Sequence, residues 1–405
     1  MNIAVAQSGG PTCAINASLL GVYRQALKES NIEHIFGSIN GIEGIINDDL
    51  VELNAVVRTN NDMELLRQTP STVLGSCRYK LPEITENSEV YNKIINTLER
   101  HGIGAFFYIG GNDSMDTVDK LSRYINKLNK KIIVMGIPKT IDNDLEYTDH
   151  TPGFGSAAKY VATTIQEIIR DSSVYSIDSV TIIEVMGRHA GWLTASSCVL
   201  RTNGEQAPHL IYLPENKFSL KSFIEDVRHA RQVHKAVIVA VSEGIRLDPN
   251  ETGIEQHSDN IPIDVFGHEA LSGVGKILEH VISSEIHCKV RSIELNVMQR
   301  CSSHISSKTD IDEAETIAED AVKAAMQGYT GKMMAFKRLR NTPYTVITEP
   351  VDASLVANAE RFFPAEWINA AHNNVTDEAV GYFLPLINGE QIIRMKNGLP
   401  IHYHI

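Results

Sequence analysis

The sequence predicts an α/β fold with mostly parallel sheets, arranged as two or three domains or as two large lobes. Three observations lead there. Short apolar runs rich in β-branched residues alternate with stretches of helical period. Each run ends in a Gly-rich or acidic turn. The 405 residues exceed the roughly 100–200 of one ordinary domain. Apolar runs without polar alternation are expected of parallel strands that helices cover on both faces.

The first run, Ile3-Ala4-Val5-Ala6, leads into Ser8-Gly9-Gly10-Pro11-Thr12. A helix follows, with Ile15, Leu19, Val22 and Ala26 on one face, as a period near 3.6 requires. The second run, Ala105-Phe106-Phe107-Tyr108-Ile109, leads into Gly110-Gly111-Asn112-Asp113-Ser114 and a helix striped by Val118, Leu121, Ile125 and Leu128. Residues 132–137 precede Pro138-Lys139-Thr140-Ile141-Asp142-Asn143-Asp144. Residues 180–185 precede Met186-Gly187-Arg188, and residues 237–241 precede Ser242-Glu243-Gly244. Residues 245–262, rich in Asp, Asn, Pro, Gly and Glu, read as a surface loop. A helix is expected after Thr309, with Asp310, Asp312 and Glu313 in its first turn, stopping near Gly328. Residues 329–405 are irregular, with Pro-rich turns and short apolar runs; Trp192 and the run Lys332-Met333-Met334-Ala335-Phe336 read as packing. Ligands of parallel sheets bind beyond the carboxyl ends of the strands. Every polar cluster above sits at such an end, so convergence on one cleft is expected.

Composition narrows the partners. Hydrophobic residues make up 43 % of the chain, enough to fill real cores and to exclude global disorder. Fifty acids against thirty-seven bases give a net charge of −13, which argues against a nucleic-acid-binding surface. No apolar stretch reaches the length of about 20 residues that a membrane span needs. Cys13, Cys77, Cys198, Cys288 and Cys301 form no CxxC pair, so a reducing, cytoplasmic compartment is expected. The start, MNIAVAQSGGP, has no basic segment and reads as a first strand, not a signal peptide.

The clusters suggest phosphate chemistry, each with a plainer alternative. Gly9-Gly10 between strand and helix lets backbone N–H groups approach a phosphate; it is equally a tight connection. Asp113 beside Gly110-Gly111 would repel a phosphate unless a hard cation such as Mg²⁺ lay between them; Asp113 or Ser114 capping the helix explains the segment equally well. In Lys139-Thr140-Ile141-Asp142-Asn143-Asp144, Asp142 suits a general base, Asp144 a metal ligand and Lys139 a phosphate partner. An Asx-rich surface turn is the alternative there. Arg188, Arg78, Arg291 and Arg300 offer guanidinium forks for phosphate, or are solvated charges. Met186 and Gly187 offer backbone groups, Glu243 an acceptor for sugar hydroxyls; His189 is given no catalytic role.

In order and spacing over roughly residues 1–330 these segments, with Leu74-Gly75-Ser76-Cys77-Arg78 and Gln299-Arg300, resemble the phosphofructokinase family, most of all its pyrophosphate-dependent branch. The resemblance implies two Rossmann-like three-layer α/β lobes with the active site between them. Residues 1–150 with about 301–330 would form the phosphoryl-donor lobe, residues 151–300 the sugar-phosphate lobe, and residues 331–405 a segment packing on both. It implies Mg²⁺-dependent phosphoryl transfer from pyrophosphate to the C1 hydroxyl of fructose 6-phosphate, reversibly, in glycolysis or gluconeogenesis. Asp142 would be the base, with Lys139 and Arg78 balancing charge. Gly10, Gly111, Asp113 and Lys139 would meet the donor. Thr140, Ile141, Asp142, Met186, Gly187, Arg188 and Glu243 would hold the sugar, and Arg300 its 6-phosphate. Arg291 would reach that phosphate from a neighbouring subunit, so a homodimer or homotetramer is implied. Asn112 and Asp144 would face the metal.

ATP-using members of the family usually carry Gly where this chain has Asp113 and Lys139. A carboxylate at 113 would repel a nucleotide α-phosphate, and Lys139 suits a compact diphosphate. The chain departs from the family pattern at Asn112, where a carboxylate is common, at Ser179, where many relatives have Arg, and at Val297, where many have His. The last two positions leave room for another acceptor, such as sedoheptulose 7-phosphate. An ATP-dependent 6-phosphofructokinase and a non-catalytic sugar-phosphate sensor of the same fold are the competing readings.

Overall fold

The computed structural model describes residues 1–248 and 273–405. The part of the expected surface loop beyond residue 248 lies outside the described residues. The expected apolar runs all form strands. One seven-stranded sheet joins β1 (Asn2–Gln7), β2 (Ile35–Ser38), β3 (Leu50–Glu52), β4 (Ile103–Gly110), β5 (Ile133–Pro138), β10 (Lys332–Asn341) and β11 (Tyr344–Asp352), in the order β11-β10-β5-β4-β1-β2-β3. Its central strands β2, β1, β4 and β5 are parallel, which fits their unbroken apolar character. A second sheet of the described residues joins β6 (Ser179–Val185), β7 (Leu210–Tyr212), β8 (Ala236–Ser242) and β9 (Lys289–Glu294), all parallel, in the order β7-β8-β6-β9.

Each sheet is covered on both faces. Ile15, Leu19, Val22 and Ala26 of the helix Ile15–Ala26 are buried with Ile3, Val5 and Phe107 on one face of the first sheet. Ala4, Ala6, Phe106 and Tyr108 face the other way, against the helices Ser88–Arg100 and Asn112–Lys127. The helix Lys308–Met326 lies against Ile15–Ala26. The two backbones meet at Gly21, where a Cβ would sit 2.2 Å from the Glu315 carbonyl oxygen. Fully burying each such aliphatic side chain contributes about 1.5–3 kcal/mol.

The helix Lys308–Met326 begins slightly before its expected start, because Ser307 caps it by accepting from Asp310 N. Asp310 does more than complement the helix dipole. Its carboxylate accepts from Gly153 N, Ser156 N and the Ser156 hydroxyl. It thereby ties this helix to the start of Phe154–Ser172, which packs on the second sheet.

The C-terminal stretch is more ordered than expected. The run Lys332–Phe336 is indeed buried from Met333 onward, but within a strand. β10 pairs with β5 at Lys332↔Met135 and Met333↔Gly136, and with β11 over its whole length. Residues 332–352 therefore extend the first sheet rather than only packing on the lobes. The outer half of the hairpin, residues 337–341 and 344–348, is exposed or only half-buried, so its signal is weaker than that of a fully buried strand.

Candidate active site

The cleft forms where the strand ends converge. β1 delivers Ser8, Gly9 and Gly10; β4 delivers Gly111, Asn112 and Asp113; β5 delivers Lys139, Thr140, Ile141, Asp142 and Asp144; β6 and β8 deliver Met186, Arg188 and Glu243. Arg78 and Arg300 complete the lining of the same cleft.

Hydrogen bonds between chain-distant turns set the glycine-rich wall. Gly9 turns with φ of +72°, which a residue without Cβ adopts without strain. Its N–H donates to Cys77 O at 3.3 Å, and its carbonyl accepts from Ser76 Oγ at 2.7 Å. Ser8 and Ser114 share a hydroxyl hydrogen bond of 2.7 Å. Lys139 is buried and donates from Nζ to Gly10 O at 2.6 Å, so one ammonium spans the ends of β1 and β5. Asp113 lies 3.9 Å from Lys80 Nζ. Asn112 Nδ2 donates to Ala359 O at 3.5 Å, which leaves Oδ1 as the atom it can offer a cation.

The acidic turn is built for display. Thr140 Oγ1 accepts from Asp142 N at 3.1 Å, a local turn motif. Asn143 takes a left-handed conformation, φ +57°. Both neighbouring carboxylates, Asp142 and Asp144, reach the cleft lining. On the opposite wall Glu243 Oε1 accepts from Gly187 N at 3.2 Å, and Ser242 Oγ donates to Gly187 O at 2.6 Å. Gln299 Oε1 accepts from Met186 N at 3.2 Å.

Crowding of like and unlike charges shifts the acid–base properties. Burial pushes Lys139 down to about 7, against the pull of Asp142 and with Arg300 adding to the shift. Burial raises Asp142 above the ordinary carboxylate range, opposed by Arg188, the Thr140 hydroxyl and Lys139. Burial, then Asp142 and Glu360, raise Asp144 to about 7. Glu243 also rises to about 7, through burial that the Gly187 N–H only partly offsets. A dianionic ligand beside Lys139 and a cation beside Asp144 would each stabilise a charge that burial disfavours.

Two expected residues lie apart from the lining. Gly187 acts through its backbone, as above. Arg291 sits on the edge strand β9, paired with Asp171 at 3.2 Å. Its strand neighbour is Thr181, near the start of β6, with Ser179 two residues before. This is the end of the sheet opposite the cleft. Val297 is exposed. Sequence reasoning missed Glu360, which lines the cleft and accepts from His189 at 3.0 Å. It also missed Tyr79 and Thr12 in the lining. Glu360 lies in an irregular stretch with no periodic or motif signal. Tyr79 directly follows the quoted Arg78, and Thr12 closes the quoted turn of residues 8–12, where it was given no role; that adjacency was the available signal.

Glycine turns, cations and acids gathered at parallel strand ends between two sheets define a phosphate-handling α/β protein. Comparison with known proteins makes this specific. A family model described as Phosphofructokinase matches residues 2–325. The pyrophosphate–fructose 6-phosphate 1-phosphotransferase of Halomonas elongata is 36 % identical over 402 residues, 98 % of this chain and 94 % of that protein. The sulfofructose kinase of Alkalicoccus urumqiensis is 31 % identical over 371 residues, 91 % of this chain and 92 % of that one. The crystal structure of a pyrophosphate-dependent phosphofructokinase from Marinobacter aquaeolei matches with a TM-score of 0.87 at 32 % identity, covering 99 % of this chain and 95 % of that chain. The chain belongs to the phosphofructokinase family.

Proposed function

We propose that the protein transfers a phosphoryl group from pyrophosphate to the C1 hydroxyl of fructose 6-phosphate, giving fructose 1,6-bisphosphate and phosphate in a reversible step of glycolysis or gluconeogenesis. The observation that carries this reading is the placement of Lys139. Its ammonium reaches the donor glycine turn at Gly10 O, 2.6 Å away, in the cleft that Asp113 and Asp142 also line. A nucleotide would have to pass its α-phosphate by Asp113; a diphosphate presents all its charge to Lys139, Arg78 and the Gly9-Gly10 backbone.

In this reading Gly10, Gly111, Asp113 and Arg78 shape the donor end of the cleft. Thr140, Ile141, Met186, Gly187, Arg188 and Glu243 orient the sugar, with Arg300 at its 6-phosphate. Asp142 takes the C1 hydroxyl proton as the oxygen attacks phosphorus, and the departing phosphate keeps the bridging oxygen. Lys139 and Arg78 balance the charge that builds on the transferring group.

Among the described residues no cluster of three or more His, Cys, Asp or Glu forms a protein-only metal cage. Mg²⁺ is typically held by one or two carboxylates together with substrate phosphates. Asp144, strained by Asp142, and the Asn112 amide oxygen fit that sparse donor set. When bound, Mg²⁺ would screen the diphosphate and polarise its oxygens.

The same reading makes the residues around β1–β5 the donor lobe and those around β6–β9 the sugar lobe, in a homodimer or homotetramer whose neighbouring copy brings Arg291. It places the protein in the cytoplasm, where the five free thiols would stay reduced. The test is an assay with fructose 6-phosphate and Mg²⁺, comparing pyrophosphate with ATP and detecting the bisphosphate. Turnover with pyrophosphate alone is expected. Turnover with ATP alone refutes the donor assignment, and turnover only with another ketose phosphate refutes the acceptor.

A further inference from the structure

The acidic turn is held from behind by residues far along the chain. The Arg361 guanidinium donates to Thr148 O and Asp149 O, both at 2.6 Å, and to Asn143 O at 2.9 Å. Its backbone N–H donates to Asp144 O at 2.8 Å. Residue 361 thus satisfies four carbonyls of one loop, groups that buried backbone cannot leave unpaired without cost. Arg361 is itself fixed. Its guanidinium lies over the Trp192 ring, 4.5 Å from the centroid, and Trp192 Nε1 donates to Arg361 O at 3.1 Å.

Tyr382 completes the clamp. Asn143 Nδ2 donates to the Tyr382 hydroxyl at 2.9 Å, and that hydroxyl donates to Asp149 O at 2.6 Å. Asn143 Oδ1 accepts from Thr151 N at 3.1 Å. Every polar atom of the Asn143 side chain is thereby committed. Asn143 is the left-handed residue between the two cleft carboxylates, so whatever fixes its backbone fixes the directions of Asp142 and Asp144.

We propose that Arg361 and Tyr382 are positioning residues: they lock the left-handed Asn143, and through it they aim Asp142 at the acceptor hydroxyl. The proposal deepens the phosphotransferase reading and rests on Asp142 being its base. Neither residue belongs to the cleft lining. Their contribution is geometric, and misplacing a reacting group by about 1 Å can cost on the order of 10²-fold in rate.

The experiment has a structural and a kinetic arm. The crystal structure of Arg361→Ala is expected to show Asn143 out of the left-handed region and Asp142 displaced from the cleft. Kinetically, Arg361→Ala is expected to lose about 10²-fold in kcat with the KM of both substrates within about twofold, since orientation rather than binding is lost. Free guanidinium ion at low concentration should recover part of that kcat. Arg361→Lys should stay impaired, because a single ammonium nitrogen lacks the planar two-nitrogen fork that reaches Asn143 O from Nη2 and Thr148 O and Asp149 O from Nη1.

Tyr382→Phe removes one hydroxyl and keeps the ring packing, so it tests the same claim if Arg361→Ala does not fold. It should lose about tenfold in kcat, the scale of one hydrogen bond. An unmoved Asn143 in the variant crystal, a loss confined to KM, or a kcat loss that guanidinium leaves untouched each overturns the positioning role. A wild-type chain without pyrophosphate turnover counts against the functional reading instead, and the crystal structure of the variant still decides whether Arg361 sets the turn.

Discussion

Hydroxyl and ammonium hydrogen bonds within one chain close the donor wall of the cleft, whereas the acceptor wall ends in an edge strand. Ser8, Ser76, Ser114 and Lys139 link the turns after β1 and β4, the loop before Arg78 and the end of β5. On the other side, among the described residues, β9 pairs only with β6, and its residues are half-buried or exposed. A wall of the first kind is preorganised before any ligand arrives. One of the second kind offers an open strand edge and displays its arginine elsewhere. On the proposed assignment of the two walls, the contrast implies that a single chain builds a complete site for the phosphoryl donor and base, but a less complete one for the acceptor phosphate.

The largest effect expected falls where the two walls meet. Asp142→Ser removes the base and leaves the sheet untouched, so kcat should drop by about 10²–10⁴-fold, the range that a positioned general base supplies, with an unchanged circular dichroism spectrum. Near-normal turnover would falsify the assignment of Asp142.

Next comes the donor wall itself. Lys139→Met keeps the bulk of a buried side chain and deletes its charge. A charge pair at about 4 Å with an effective dielectric near 20 is worth about 4 kcal/mol before desolvation, so kcat/KM for pyrophosphate should fall by up to about 10²–10³-fold. The KM for fructose 6-phosphate should barely move. Equal losses for both substrates would mean that Lys139 supports the cleft as a whole and that the two walls are not separable.

These residues also mark what a sequence discloses. The turns after β1, β4, β5 and β6 are legible because parallel strands buried on both faces leave continuous apolar runs, and the polar residues that follow must sit at their carboxyl ends. Asp142, Lys139 and Arg188 were found that way. Glu360, Arg361 and Tyr382 were not. They reach the site through packing between segments far apart in the chain: Glu360 and Arg361 lie in an irregular stretch, and Tyr382 in a helix of only seven residues, Asp377–Phe383. The edge hairpin β10–β11 was missed for a related reason, since one half of it packs and the other half faces water. The expected separation of Arg291 from its own cleft came from the family resemblance alone; no local pattern encodes it.

A smaller effect concerns the back of the donor wall. Burial lowers the affinity of His150 for a proton, but Glu313 and Asp149 outweigh it and raise the pKa to about 9. The ring bonds both acids at 2.8 Å, with Arg338 on Asp149 and Tyr344 on Glu313. The folded value lies above the 6.5 of a free histidine, so the stabilisation is complete below about pH 6.5 and fades as pH rises through 9. Two to three pKa units correspond to at most about 3–4 kcal/mol. Urea midpoints of wild type and His150→Gln should therefore converge between pH 6.5 and pH 9.5. A gap independent of pH would mean that the ring is neutral in the folded state.

The smallest effect tests the acceptor wall and the incompleteness that the comparison assigns to it. Arg291→Ala should raise the KM for fructose 6-phosphate about tenfold, equivalent to about 1.4 kcal/mol, without moving the KM for pyrophosphate. That result alone does not say whose cleft the arginine serves, because Arg291 lies at the far end of the sheet, on Asp171. Mixing two defective chains does. If the arginine crosses to a neighbour, a hybrid of Asp142→Ser and Arg291→Ala chains has one site carrying both defects and one site carrying neither. At fructose 6-phosphate well below KM the mixture should then exceed the activity of either parent. If each arginine serves its own chain, every site in the hybrid keeps one defect and the mixture stays at the average of its parents, which would make the acceptor wall as self-contained as the donor wall.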